Sequence, residues 1–253
     1  NLLIKNPGLQ ENLIDWIMEI LGPDGNLVCT SYTKTYNLNS ISKDNIFHLD
    51  LASNDGAVST LMLKHPKKFR STHPTASIVA IGNNAKEICS NHTPDSPLYS
   101  PWKDLSKING KMLIFGCIDS NPGFTSVHWT QHKLGLSKQW RKKPKKGIYY
   151  LENNQIKLYV QNEIGGCSKG FYKFYEPYKL SGKLHFGKID SEKALSIKIN
   201  DALNIEEKIL KNNPRYALCD NVFCEKCRTH WGYNKRDIYK FYLAHFGKKI
   251  NKY

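Results

Sequence analysis

The stretch of sequence that decides the fold runs Arg70-Ser71-Thr72-His73-Pro74-Thr75-Ala76-Ser77-Ile78-Val79-Ala80-Ile81-Gly82. Its second half, residues 77–81, is a short apolar run with β-branched residues, which predicts a buried strand that ends at Gly82. Residues 111–117 form a second run of this kind, and residues 85–90 between the two have the apolar spacing of a helix. Because strands and helices that alternate along a chain pack as layers, the sequence predicts an α/β fold.

The N-terminal part of the chain extends this pattern. Apolar residues at helical spacing predict a helix over residues 11–21, and residues 26–31 after a Gly-Pro-Asp-Gly turn predict a buried strand. Residues 57–63 predict a short helix. The segment before that helix offers three capping candidates and a glycine that would allow an anion or the backbone to approach closely, namely Ser53, Asn54, Asp55 and Gly56.

The C-terminal half contains a hairpin pattern followed by two helical patterns. Residues 148–151 and 155–160 alternate in polarity on either side of Asn153-Asn154, which predicts two strands joined by a tight turn. Residues 191–211 predict a polar helix or a pair of helices, and residues 237–246 predict an amphipathic helix.

Composition limits the classes of partner. The chain has 253 residues with 37 Lys and Arg against 22 Asp and Glu, a formal charge of +15, which favours nucleic acid, acidic lipid or phosphate-rich ligands.

No apolar run reaches the length of a membrane span, and the seven cysteines are an odd number, so we expect a soluble, cytoplasmic protein with reduced thiols and no membrane partner. Because the first residue is Asn, we expect the natural N-terminus to be incomplete.

Several further strings occur in a fixed order around the stretch quoted above. They are Gly25-Asn26-Leu27-Val28, Asp55-Gly56-Ala57, Asp95-Ser96-Pro97-Leu98-Tyr99, Asn109-Gly110-Lys111-Met112-Leu113-Ile114-Phe115-Gly116, Thr125-Ser126-Val127-His128 and Cys167-Ser168-Lys169-Gly170-Phe171. Their order and spacing over residues 10–200 resemble the aminoglycoside 3-N-acetyltransferase family, which includes sugar-nucleotide N-acyltransferases.

The resemblance implies a fold and a reaction. The fold is a layered α/β/α core, and in the reaction an amine attacks the thioester carbonyl of acyl-CoA directly, without a covalent enzyme intermediate. We therefore expect an N-acyltransferase domain over residues 1–212 and a C-terminal extension over residues 213–253.

The resemblance also implies a catalytic histidine. The family's Thr-x-x-His pattern falls on Thr125 and His128, and a histidine suits a general base because its ordinary pKa lies near neutrality. The family's glutamate three residues later is Gln131 in this chain, so the partner that orients the imidazole is open, with Glu176 and Asp190 as distant candidates. Asn121 is a candidate polar site residue or an ordinary turn residue.

The segment around His73 supplies further candidates. Pro74 holds His73 in an extended conformation, where it either lines the cleft or is a hydrogen-bonded core histidine. Arg70 is a candidate for pairing with the phosphates of CoA, although a solvated basic face is the ordinary outcome. The predicted cofactor-binding residues are Ser53, Asp55, Gly56, Ala57, Arg70 and Ser77.

A cysteine cluster lies near the C-terminus. Cys219, Cys224, Cys227 and His230 have the spacing C-x4-C-x2-C-x2-H, which could offer three thiolates and one imidazole to a structural Zn²⁺ ion. Reduced cysteines in the core of a C-terminal extension account for the same pattern without a metal.

Three functions compete at this point. The first is CoA-dependent N-acylation of an amino-sugar nucleotide, which the positive charge favours because both substrates are anions. The second is acetylation of an aminoglycoside antibiotic, a polycation that an acidic cleft would suit better. The third, a zinc-containing nucleic-acid-binding protein, would leave the family strings without a reason, so we expect no nucleic-acid partner. A homodimer is left open.

Overall fold

A computed structural model describes residues 7–116, 118, 123–137, 145–162, 166–189, 192–221, 224 and 226–227. The chain folds as two compact units. Unit 1 comprises Asn1–Asp104 and Pro144–Glu163, and unit 2 comprises Leu105–Lys143 and Ile164–Tyr253. The predicted boundary between residues 212 and 213 falls within unit 2, and a separate C-terminal extension stays a prediction.

The core of unit 1 is an antiparallel sheet with the strand order β1-β5-β4, in which β1 is Asn26–Thr30, β4 is Phe69–Arg70 and β5 is Ile78–Gly82. Side chains alternate across β5, so Val79 and Ile81 lie on one face while Ile78 and Ala80 lie on the other. The first face packs against residues of helices α1 (Pro7–Leu21) and α2 (Ala57–Lys64). The second packs against Ala85 and Cys89 of helix α3 (Ala85–Ser90). Helices on both faces explain why the middle strand is apolar throughout and confirm the predicted α/β class.

A second sheet of unit 1 contains the predicted hairpin. Strands β7 (Lys146–Glu152) and β8 (Gln155–Gln161) pair antiparallel, and β7 also pairs with β2 (Tyr36–Asn37) and β3 (Ile46–Phe47). The two turn residues have positive φ angles, 50° at Asn153 and 59° at Asn154. Asparagine tolerates this left-handed conformation better than most residues, so the turn forms where the sequence predicts it.

Unit 2 is built on the antiparallel sheet β6-β10-β9, formed by Lys111–Phe115, Glu192–Lys198 and His185–Ile189. Its helices are α5 (Ser126–Lys133), α6 (Tyr175–Leu180) and α7 (Ile199–Asn212), with a 3₁₀ helix at Phe171–Phe174. Helix α4 (Ser100–Lys107) contains the point where the chain passes from unit 1 to unit 2. The core lies between the sheet and the helices and includes Phe124, Val127, Phe171, Phe174, Tyr178, Leu195, Ile197 and Leu210.

One prediction about unit 2 is wrong. Residues 191–211 were expected to be helical throughout, whereas residues 192–198 form strand β10 and the helix begins only at Ile199. The polar residues of this segment conceal the apolar pattern of a strand in the sequence, although its Ala194, Leu195 and Ile197 are buried. The backbone of β10 pairs with β6 on one side and β9 on the other, and these partners are distant or unrecognised in the sequence.

Two further expectations concern the last helix and the membrane. The helix predicted over residues 237–246 lies outside the described residues. Within the described residues, no helix combines the length and apolar character needed to cross a membrane.

Candidate functional site

His128 lies in the first turn of α5, and the turn is positioned by close packing with the 3₁₀ helix. Thr125 occupies the N-cap position without a side-chain cap bond, and the backbone N–H of His128 donates to its carbonyl oxygen at 3.0 Å. The His128 ring contacts the Phe171 ring edge-on, with ring centroids 4.7 Å apart. Gly123 makes this approach possible, since a Cβ atom there would lie 2.8 Å from the Phe171 backbone.

Burial controls the charge of His128. The side chain is 7% exposed, and desolvation lowers its pKa to about 4, with a smaller lowering effect from Lys226. A side-chain hydrogen bond with Gln131 acts in the opposite direction. The ring is therefore neutral at physiological pH, as a general base must be before it accepts a proton. Gln131 stands at the position of the family's glutamate, and the partner that orients the imidazole stays a prediction.

A buried carboxyl group, that of Glu206, lies on the side of α5 that faces away from His128. Glu206 of α7 is fully buried, and three hydroxyl groups donate to it: Ser126 at 2.5 Å, Thr130 at 2.6 Å and Tyr178 at 2.6 Å. Burial raises the pKa of Glu206, and the three hydrogen bonds lower it by less. Ser126 and Thr130 flank His128 on α5. The hydrogen bonds of Glu206 therefore help to position the helix that carries His128 against α6 and α7.

Glu206 is not among the site residues that the sequence predicts. Its signal is a glutamate within the apolar stripe of α7, where Ala202, Glu206 and Leu210 recur at intervals of four residues and are all buried. A charged residue in such a stripe indicates a buried polar network, because an ionised side chain is rarely buried without hydrogen-bonding partners.

His73 is a hydrogen-bonded core histidine, one of the two alternatives that the sequence left open. It is fully buried, and its Nδ1 atom accepts hydrogen bonds from the backbone N–H groups of Thr75 at 3.3 Å and Ala76 at 3.1 Å. The ring proton of the neutral form must then be on Nε2, which lies 3.3 Å from the Tyr159 hydroxyl. Burial, together with the stacked His92 ring, lowers the pKa of His73 to about 3. The predicted catalytic role of His73 stays a prediction, and this geometry favours a structural one.

Arg70 and Ser77 form an internal network in unit 1. The Arg70 guanidinium donates to the Ser77 hydroxyl at 3.0 Å, to Thr33 and to the backbone carbonyls of Ser31, Leu49 and Leu51. The Ser77 hydroxyl in turn donates to the Ser31 carbonyl at 2.5 Å. Burial lowers the pKa of Arg70 to about 10. These bonds use all five guanidinium donors, which favours a positioning role over direct contact with a phosphate.

The residues predicted before α2 are only partly arranged as expected. The N-cap is Gly56, and no side chain caps the helix, so the predicted capping by Ser53, Asn54 or Asp55 is wrong. The Asp55 carboxylate instead accepts from the backbone N–H of Tyr32 at 2.9 Å, and the Ser53 hydroxyl accepts from the backbone N–H of Asp55 at 3.0 Å. Gly56 and Ala57 are exposed at the helix N-terminus, where a cofactor-binding role stays a prediction.

Four cysteines of unit 2 come together. The sulfur atoms of Cys167, Cys219, Cys224 and Cys227 all lie within 4.8 Å of one another. Three of these residues were predicted as metal ligands, whereas Cys167 joins them from a distant part of the chain. His230, the fourth predicted ligand, and Asn121, the predicted polar site residue, lie outside the described residues.

The chain is similar to one family of enzymes. The family model for aminoglycoside 3-N-acetyltransferase matches residues 3–211. No curated protein sequence matches the chain.

Solved structures share the fold. A mutant of the aminoglycoside acetyltransferase AAC(3)-IVa in complex with a gentamicin has 22% identity and a TM-score of 0.70, with 86% of this chain and 81% of that chain covered. AAC-IIIb with bound CoASH has 16% identity and a TM-score of 0.63 over 80% and 83% of the two chains. The YokD protein from Bacillus subtilis has 17% identity and a TM-score of 0.62 over 81% and 85%. At these identities the structures establish the fold, and the family model establishes the membership: the chain belongs to the aminoglycoside 3-N-acetyltransferase family and is an acyl-CoA-dependent N-acyltransferase.

Proposed function

We propose that the protein transfers an acetyl group from acetyl-CoA to an amino group of an aminoglycoside, with His128 as the general base. The observation that carries the proposal is a buried, neutral histidine at the start of α5, in a chain that matches the aminoglycoside 3-N-acetyltransferase model over residues 3–211. Relatives of the same fold are described with bound CoASH, gentamicin or sisomicin, which supports both substrates.

The chemistry needs one proton acceptor and one leaving group. The amine nitrogen attacks the thioester carbonyl carbon, the C–S bond breaks, and the CoA thiolate leaves and takes up a proton. An ammonium group cannot attack, so a base must remove a proton from the amine. His128 is available to accept this proton, because burial keeps its ring neutral at physiological pH.

A sugar nucleotide is the second candidate substrate. The formal charge of +15 favours an anionic acceptor, and this charge made the sugar nucleotide the first hypothesis from the sequence. The comparisons favour the aminoglycoside instead, because solved structures of this fold are bound to gentamicin or sisomicin. The cytoplasm is the expected compartment, because an odd number of cysteines, most of them scattered along the chain, fits reduced thiols better than a disulfide framework.

The test is CoA release with aminoglycosides and amino-sugar nucleotides offered in parallel to the wild type and to His128→Asn. We expect turnover with an aminoglycoside, and a loss of about 10² to 10⁴-fold in kcat for the variant, the usual contribution of a general base. CoA binding by calorimetry should be nearly unchanged. The loss should shrink as pH rises, because more of the amine is then already unprotonated.

His132→Asn is the matched control, because His132 lies one turn later on α5 and its ring stacks on Trp129 instead of Phe171. It should keep wild-type turnover. His73→Asn should lower stability, since it removes the acceptor of two backbone N–H groups. If His128→Asn keeps more than about a third of the turnover while His73→Asn abolishes it in a folded protein, the assignment of the base is wrong. Turnover only with nucleotide-linked amino sugars would contradict the proposed substrate.

A further inference from the structure

The four clustered sulfurs have the spacing of a single tetrahedral metal site. A Zn–S bond of about 2.3 Å with tetrahedral angles places thiolate sulfurs about 3.8 Å apart. In this structure the Sγ atoms of Cys219 and Cys227 are 3.5 Å apart, and all four Sγ atoms lie within 4.8 Å of one another. One ion can therefore contact all four sulfurs after shifts of less than about 1 Å.

A disulfide bond, an iron–sulfur cluster or plain hydrophobic packing fits these four sulfurs less well. A disulfide requires sulfurs about 2.05 Å apart, and none of the four cysteines forms one within the described residues. An iron–sulfur cluster places several metal ions between its ligands, and sulfurs this close to one another leave room for only one. Among the described residues, the surrounding apolar cluster adds two leucines to the four cysteines, Leu136 and Leu218, so hydrophobic packing alone is a weak reason for the four side chains to converge.

A backbone N–H group points at one of the sulfurs. The N–H of Cys219 donates to the sulfur of Cys227 at 3.4 Å. Such a donor compensates the negative charge of a thiolate, which is the form of cysteine that binds metal.

The cluster joins two segments that are distant in sequence. Cys167 precedes Gly170 and Phe171, and Phe171 is the ring that contacts His128. Cys219 follows Leu218, whose carbonyl accepts from the Lys173 side chain at 2.7 Å. A Cβ atom at Gly170 would lie 2.6 Å from the carbonyl oxygen of Leu218, so these segments are already in close contact. A metal ion would hold them together and keep Phe171 against His128.

We propose that Cys167, Cys219, Cys224 and Cys227 bind one structural Zn²⁺ ion, which ties the segment that contains Leu218 and Cys219 to the segment that packs against His128. The ligand set differs from the one that the sequence predicts, since Cys167 replaces His230. With four protein ligands the site is closed, so the ion has no open position for a substrate and its role is structural.

The experiment measures metal content by mass spectrometry on the full chain purified under reducing conditions without chelator. We expect about one zinc per chain in the wild type and less than about a fifth of that in Cys167→Ser, because three ligands bind Zn²⁺ far more weakly than four. His230→Ala should keep its zinc. Cys89→Ser is the matched control, a buried cysteine of unit 1 outside the cluster, and it should also keep its zinc.

A second measurement covers the case in which Cys167→Ser does not fold. The wild type is reconstituted with Co²⁺, and four thiolate ligands should produce strong sulfur-to-cobalt charge-transfer absorption together with the visible bands of a tetrahedral ion. A metal-free wild type that also gives no such spectrum overturns the proposal. Full zinc occupancy in Cys167→Ser, or loss of zinc in His230→Ala but not in Cys167→Ser, overturns the proposed ligand set.

Discussion

Glu206 lies on the apolar face of α7, one turn before Leu210, and is as deeply buried as that leucine. A carboxylate at such a position is costly to desolvate, and hydrogen bonds must offset this cost. Three hydroxyl groups from α5 and α6 do so. Glu206 is therefore coupled to the placement of His128 through the helix that carries both Ser126 and His128.

We predict that Glu206→Leu lowers the free energy of unfolding by about 2 to 4 kcal/mol, because three buried hydroxyls lose their acceptor. Urea unfolding followed by far-UV circular dichroism measures the change. The neighbouring Glu207→Gln is the control, since Glu207 pairs with Lys133 and Lys211 at the surface and should cost less than about 1 kcal/mol. A Glu206→Leu variant as stable as the wild type would show that the cost of desolvating Glu206 cancels the free energy gained from its hydrogen bonds.

At the scale of single elements, the β7–β8 hairpin shows how a local signal specifies a structure. Seven residue pairs connect the two strands in register, from Lys146 with Gln161 to Glu152 with Gln155. Both turn residues have left-handed backbone angles. A two-residue turn of this kind matches the twist of the strands, so the turn determines the register of every pair.

We predict that Asn154→Ala lowers the free energy of unfolding by about 1 kcal/mol, because the alanine Cβ atom is sterically strained at a positive φ angle. Asn154→Gly should be neutral or slightly stabilising. Asn83→Ala is the control, an exposed asparagine that is not among the residues with positive φ. Thermal and urea unfolding measure all three variants. Equal effects of alanine and glycine at position 154 would contradict the role of the turn conformation.

At the scale of the whole molecule, buried neutral histidines link stability to pH. Desolvation is the main cause that lowers the pKa of His73 to about 3 and those of His92 and His128 to about 4. In the unfolded chain these three side chains take up protons below about pH 6.5. In the folded chain they stay unprotonated until the pH is close to 4. Their contribution to stability is thus complete above about pH 6.5 and is lost as pH falls towards 4.

We predict that the free energy of unfolding falls as the pH is lowered from about 6.5 to about 5. Because the unfolded chain binds up to three more protons than the folded chain, the slope approaches about 4 kcal/mol per pH unit. Glu206 opposes this trend, because its raised pKa favours proton uptake by the folded state. Urea unfolding at a series of pH values measures the slope, and His92→Gln should reduce it by about one proton. A flat profile in this range would mean that the three histidines are already solvated in the folded state.

The sequence alone determined those parts of the protein that depend on neighbouring residues. Apolar periodicity predicted helix α3 with its observed bounds and strand β1 within one residue, and the two asparagines predicted the hairpin turn. The family strings predicted the α/β class and the membership that the family model confirms. The structural signals are short-range, because side-chain spacing and turn conformation act within a few residues along the chain.

Only the tertiary structure decided the features that join distant residues. Strand β10 is polar enough to resemble a helix, and its pairing with β6 and β9 made it a strand. Glu206 meets Ser126 from a position 80 residues away, and Cys167 meets Cys219, Cys224 and Cys227. A linear pattern contains no measure of such distances. The contacts of Glu206 arise from the packing of α5, α6 and α7 on one core, which also determines that His128 is buried and neutral.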